Sequence, residues 1–312
     1  MLASPALPLS ALELRDAVRQ SRRIDPVRLD RVLRLDASRG LVEVQASATW
    51  SSVAAYLRPG APGLAAALKD LGTVGEAVAT NAAGPDGRPV VAHVESLALV
   101  TPDGELRRVS RDQHPELFAL AVGGQDLFGA LYSATLRLES LARAAAAVAP
   151  VETLELPASG APTRSLELLV PPMALEALLA EVRGRCAEWR MEIEAVEVRR
   201  ILPESETALA WARREYAAVR LTLAERRTLG GNVRATQLAR ELIDLALSHG
   251  GGFPIACTPE ATRSQVEACY PALKKVLAEQ RRIDPAGKLC NAWLRHHRAL
   301  LAERCEVRWN LA

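Results

Sequence analysis

The stretch GTVGEAVATNAAGPDGRPV, residues 72–90, decides how the rest of the chain reads. Gly, Ala, Asn and Pro crowd it, and small residues at this density mark a backbone that something approaches closely. Upstream, Val32, Leu33 and Leu35, a turn at Asp36–Gly40, and Leu41, Val42, Val44 and Ala46 make two short apolar runs that read as a hairpin. A helix is expected over Ser51–Leu57, with a further apolar piece at Leu64–Leu71. Ser10–Arg23 opens the chain as a helix, with Ser10 and Glu13 at capping-box spacing. Downstream come a strand at Val94–Thr101, an Asp103-Gly104 turn and a return strand at Leu106–Val109. A helical piece near Pro115–Val122, the pair Gly123-Gly124 and a strand at Ala130–Leu138 complete this half.

Ala142–Pro162 is low in complexity, rich in Ala and Pro, and reads as a linker. A second unit follows it. It carries strands at Ser165–Val170, Met191–Arg200 and Ala218–Leu223, and helices at Met173–Trp189, Thr236–His249 and Arg263–Arg281. Gly250-Gly251-Gly252 and Asp284–Gly287 stop the last two helices. Strands in runs rather than strict βαβ alternation give an α+β class, and no internal repeat is visible.

At 312 residues the chain has room for two cores, and its 49% apolar and 24% charged residues are those of an ordinary globular protein. A net charge of +2, with Arg and acidic residues interspersed, gives no reason to expect nucleic acid or an anionic membrane as partner. The first residues lack a basic stretch followed by an apolar run, and no stretch has the length of a membrane helix, so a cytoplasmic protein is expected. Cys186, Cys257, Cys269, Cys290 and Cys305 form no CxxC pair and have no His at ligand spacing, so reduced packing thiols are expected and no metal site.

The order of pieces carries a resemblance. LDRVLRLDASRGLVEVQASATWSSVAAYL (29–57), TVGEAVATNAAG (73–84), VESLALVTPDGELRRVS (94–110) and HPELFALAVGGQDLFGALYSATLRL (114–138) resemble the FAD-binding domain of the vanillyl-alcohol oxidase and p-cresol methylhydroxylase group of FAD-linked oxidases. The likeness runs from about Leu12 to Leu138, and CYPALKKVLAEQRRIDPAGKLCNAW (269–293) is similar to the segment in which that family returns from its substrate domain. The resemblance implies an FAD-binding domain of two small subdomains plus a cap of antiparallel sheet and helices. The implied division is a FAD-binding-type unit at 1–142, a cap or substrate unit at 143–280 and a C-terminal return at 281–312. Backbone N–H groups would form an anion nest for the pyrophosphate. Thr73, Val74, Gly75, Thr80, Asn81 and Gly84 are expected nearest the cofactor, with Gly123, Gly124 and Gly129 on a supporting turn. Alternatively, these glycines serve only tight turns.

Two departures bear on the flavin. The family's Pro-Gly-Gly-Gly-His-type loop is missing, because Arg22-Arg23-Ile24-Asp25-Pro26 runs almost directly from helix to strand. Any FAD would therefore be non-covalent, and each lost hydrogen bond to a charged group costs about 1.5–3 kcal/mol. Glu76 stands where relatives commonly carry a second glycine, and its carboxylate faces either the diphosphate or solvent. Facing the diphosphate at 4 Å, it would oppose binding by about 4 kcal/mol at an effective dielectric of 20.

His93, His114, His249, His296 and His297 each read as structural, and no Ser/His/Asp arrangement stands out. Two functions follow. One is a FAD-dependent oxidoreductase taking a hydride from an alcohol-like carbon, its substrate lying against residues such as Phe253 and Cys257. The other is a pseudo-oxidase that has lost FAD and serves as a binding or scaffolding protein. No catalytic residue, substrate or electron acceptor is specified, and the missing loop leaves room for a partner subunit to complete the site.

Overall fold

A computed structural model describes residues 5–57, 72–146, 152–155, 162–225 and 228–302. The expected piece at Leu64–Leu71 and Cys305 lie outside the described residues.

Helix α1 (Ala11–Arg19) starts where the capping spacing places it, with the Ser10 hydroxyl accepting from the Glu13 N–H. It buries Leu14 and Val18 against Leu29 and Val100 in a small satellite core. The hairpin forms as β1 (Val32–Asp36) and β2 (Leu41–Gln45), and Gly40 closes its turn at φ +63°. Helix α2 (Trp50–Leu57) follows. Then come β3 (Val94–Val100), β4 (Leu106–Ser110), α4 (Pro115–Ala121) and β5 (Ala130–Arg137). The five strands pair antiparallel in the order β1-β2-β5-β3-β4, with Val44 opposite Ala134 and Leu97 opposite both Ala134 and Val109. Their buried face carries Val42, Val44, Leu97, Leu99, Ala134 and Leu136, which pack against α2 and the helix that follows it.

That helix, α3 (Val74–Thr80), forms where the small residues of Thr73–Gly84 were expected to offer an open nest of backbone N–H groups. Thr73 and Glu76 form a capping box, the same signal that starts α1, and it outweighs the low helix propensity of Gly75. The linker is corrected: α5 (Leu138–Ala146) continues directly from β5, and β6 (Glu152–Glu155) lies inside the Ala- and Pro-rich stretch. An Ala run has no turn residues to stop a helix, and β6 is recruited by the neighbouring β8 (Ile193–Ile201).

The second sheet is antiparallel in the order β6-β8-β9-β7, with β7 at Thr163–Val170 and β9 at Tyr216–Ala224. Alternate positions of β7 and β9, among them Leu166, Leu168, Val219 and Leu221, join the core with α6 (Leu175–Glu188) and α7 (Leu229–Ser248). The expected single helix at Arg263–Arg281 is two, α8 (Arg263–Cys269) and α9 (Leu273–Ile283), because Pro271 has no N–H to continue the first. Helix α10 (Ala292–Leu301) closes the described chain. The segment leading into it returns to the first sheet's side, where Lys288 Nζ donates to the Pro102 carbonyl and Asn291 Nδ2 to the Gln125 carbonyl. The helices and antiparallel sheets make the protein α+β. No helix among the described residues is long and apolar enough to cross a membrane.

Candidate functional site

Residues 73–77 carry the row of N–H groups expected to hold a diphosphate, and each one has a partner inside the protein. The Thr73 N–H donates to Glu76 Oε2 at 3.0 Å, and the Glu76 N–H returns to Thr73 Oγ1 at 3.2 Å. Val74 donates to the Ala48 carbonyl at 2.9 Å, Gly75 to Ala46 at 2.7 Å and Ala77 to Thr73 at 3.1 Å. Gly75 is required by this packing, since a Cβ there would stand 2.7 Å from the Ala46 carbonyl oxygen. Glu76 is exposed, and its carboxylate folds back over Gly72 to cap its own helix. Thr80 turns its hydroxyl to the Glu76 carbonyl, 2.8 Å away.

Asn81 ends α3 in the left-handed region, φ +50°, and is fully buried. Its Oδ1 accepts from the Val91 N–H, and its Nδ2 donates to Glu204 Oε1 at 3.0 Å, with Thr207 Oγ1 at 3.5 Å. Its carbonyl accepts the indole N–H of Trp211 at 3.0 Å. The segment between β8 and β9 therefore reaches across from the second sheet and closes on the end of α3. Two further bonds support the docking: Leu202 N–H to the Gly87 carbonyl and Ala208 N–H to the Ala119 carbonyl. An ion pair between Arg111 and Glu206 seals the edge at 2.5 Å. Gly87 permits the approach, because a Cβ there would meet the Arg200 carbonyl at 2.3 Å.

The other expected residues lie around this joint. Gly84 donates its N–H to the Arg88 carbonyl, Gly123 to Val78 and Gly124 to Ala121, so none of the three presents a free backbone donor. A Cβ on Gly124 would overlap the Leu120 carbonyl at 1.9 Å, and one on Gly129 would press Leu99 at 2.9 Å. Next to them Gln125 and Asp126 both hold positive φ, +55° and +59°, a strained pair of the kind that collects at functional sites. Asp126 reaches solvent although protein surrounds it closely, and loss of hydration pushes its carboxyl up to about 6.

The residues expected against substrate divide. Phe253 is core, 1% exposed and edge-on to Tyr270 at 5.8 Å, so it offers no substrate surface. Cys257 reaches the surface, but protein packed closely around its sulfur, with the Glu167 carboxylate nearby, pushes its thiol up to about 11, which makes it a poor nucleophile. Of the histidines, His114 precedes α4 at φ +54°, His249 caps α7 and bonds Glu181, and His297 stacks on Trp293 at 3.9 Å. Sequence reasoning passed over Glu204, Thr207 and Trp211, since nothing in PESETALAW marks a segment that crosses to another sheet.

Residues 11–110 match the family model of the FAD binding domain. This part of the chain is therefore similar to the PCMH-type FAD-binding domain of the FAD-linked oxidases. The match indicates FAD as cofactor and a protein of the flavin-dependent oxidoreductase type. No curated protein matches the chain. A diphosphate needs unengaged donors, and the FAD-binding domain supplies none at residues 73–77, each bonded within the fold. The N-terminus of α3 in this form therefore does not fit the diphosphate, and no redox step is derived from it.

Proposed function

We propose that the chain is a FAD-linked oxidoreductase with a reduced flavin site, and the observation that carries this reading is the FAD-binding-domain match over residues 11–110. When bound, FAD would accept a hydride from an alcohol-like carbon, the protein supplying position and electrostatics. In this reading the flavin unit spans 1–142, the cap 143–280 and the return 281–312. Thr73, Val74, Gly75, Thr80, Asn81, Gly84 and Gly124 lie nearest a non-covalent FAD. For that to happen the Thr73–Glu76 capping box opens, and Asn81 exchanges its bond to Glu204 for one to the cofactor.

A second reading is favoured by the same hydrogen bonds: a flavin-free relative whose joint between the two sheets is permanently closed and whose role is binding or scaffolding. The visible spectrum of the purified protein separates the two. Stoichiometric yellow FAD, or uptake of added FAD, supports the oxidoreductase. A colourless protein that leaves added FAD free in equilibrium dialysis overturns it.

A further inference from the structure

The helix layer over the first sheet leaves a partly open cavity of about 40 Å³ between α2, α3, residues 82–93 and α5. Ala77, Ala82, Ala83, Val90, Leu141 and Ala144 give it apolar walls. Two polar rings stand among them, Trp50 and His93, each 3% exposed. Trp50 Nε1 and His93 Nε2 are buried and have no hydrogen-bond partner among the described residues. Leaving one such donor unsatisfied costs about 1–3 kcal/mol. Two in one cavity call for an occupant rather than an accident of packing.

The surroundings of His93 say which nitrogen carries the proton. Ser140 Oγ lies 2.5 Å from Nδ1 and within 3.4 Å of the Ala92 carbonyl, so Nδ1 accepts the hydroxyl proton when Nε2 carries the ring N–H, and the hydroxyl turns to Ala92 when it does not. On the other side Asp86 Oδ1 is 3.5 Å from Nε2, an anion that favours N–H there over a lone pair. Nε2–H is thus a donor held near, but not satisfied by, Asp86. Gly84 keeps the space beside it open, since a Cβ there would sit 3.4 Å from Nε2.

We propose that this cavity is a binding site for a small neutral group, a carbonyl or hydroxyl oxygen on a short apolar body, held by the Trp50 and His93 ring N–H donors. Two ring donors whose nearest acceptor side chain, Asp86, stands 3.5 Å from one of them select an oxygen acceptor, and the Asp86 carboxylate disfavours an anionic one. The volume matches about three water-sized centres, which limits the occupant to about four heavy atoms or to the tip of a larger molecule. None of its residues belongs to the capping box or to the Asn81 joint, but Gly84 is also among those placed nearest FAD, so the test below uses protein to which no FAD is added.

Acetone is the probe, followed by the indole N–H resonance of Trp50, identified among the five tryptophans by its loss in Trp50→Phe. A saturable downfield shift at millimolar acetone is expected, weakened at least tenfold by His93→Leu and abolished by Ala144→Phe, which fills the cavity. Should either variant fail to fold, the wild-type protein still decides. Xenon, which fills apolar space but accepts no hydrogen bond, must occupy the cavity without the downfield shift. Equal shifts from both probes overturn the proposal, as does an absence of saturation. Magnetisation transfer from water to the Trp50 N–H that acetone does not disturb also overturns it, leaving ordered water as the sole occupant.

Discussion

Two parts of one segment, Thr73–Ala77 and Ala82–His93, treat their polar groups in opposite ways. In the first, every N–H is bonded, three of the five to side chains or backbone of the same helical turn. In the second, the N–H groups of Ala82, Gly84, Gly87, Val90 and Ala92 are bonded, but two side-chain donors beside them are not. Both parts are crowded with Gly and Ala, so small residues alone do not distinguish a ligand's approach from the protein's own. Gly75 admits the Ala46 carbonyl, whereas Gly84 leaves space next to a donor without a partner. What separates them is the accounting of donors and acceptors, which the sequence does not carry.

The comparison breaks most readily at Asn81, which lies between the two parts. Asn81→Leu puts a branched side chain at φ +50°, strands the Val91 N–H and takes one of its donors from the Glu204 carboxylate. Strain of about 1–3 kcal/mol adds to the loss of a buried polar network. A loss of about 4 kcal/mol is expected in denaturant unfolding. A loss under about 1 kcal/mol would show that the second sheet does not close on α3 in solution.

Gly75→Ala is next in size. The new methyl meets the Ala46 carbonyl, so α3 must shift from β2, at about 1–3 kcal/mol for an overpacked site. If Gly75 is instead reserved for a ligand, the apo protein loses little stability and only FAD uptake suffers. Thermal unfolding of the apo variant tells these apart.

Asp126→Asn tests the strained loop on the far side of the joint, and its sign is opposite. Burial raises the folded-state carboxyl to about 6 from an ordinary 3.8, so the folded protein holds this proton more tightly. Stability is therefore lost as pH rises between about 4 and 6 and stays lower above that window. Asparagine tolerates positive φ and carries no charge. Since the Asp126 side chain reaches solvent, the full shift is discounted, and a gain of about 1 kcal/mol at pH 7 is expected. The gain should vanish by pH 4; a gain of equal size at pH 4 would assign the effect to backbone conformation.

Much of the fold was legible because it rests on local signals. Ser10 with Glu13, the Asp36–Gly40 turn and the Asp103-Gly104 turn each specify an element by short-range chemistry, and α1, the hairpin and β3–β4 formed where these place them. Pro271 was equally legible as a helix stop but was passed over inside a long periodic run. The capping box of α3 is written in Thr73 and Glu76 as plainly as the N-cap of α1 is in Ser10 and Glu13. Gly75 and its small neighbours point as readily to an anion nest, and only the hydrogen bonds decide between the two. The joint at Asn81 was not legible, since its partners Glu204, Thr207 and Trp211 lie more than 120 residues away and carry no period or motif of their own. Nor was the pairing of Trp50 with His93, which depends on the packing of α2 beside the 82–93 segment.

The smallest change concerns Glu76, and it bears most directly on the flavin. The chain itself shows that a capping box works with glutamine, since Thr262 and Gln265 build one at the start of α8. Glu76→Gln should therefore keep α3 intact, losing only the attraction of a carboxylate for the helix N-terminus, about 0.3–1 kcal/mol. If a diphosphate comes to this helix, removing the negative charge strengthens FAD binding measurably, because like charges in contact oppose each other by about 4 kcal/mol at an effective dielectric of 20. If the N–H groups of residues 73–77 are permanently engaged, the substitution leaves FAD binding unchanged while its small stability cost persists. Measuring both quantities on one variant therefore decides whether the capped turn is an anion site held closed by its own side chain or a helix start and nothing more.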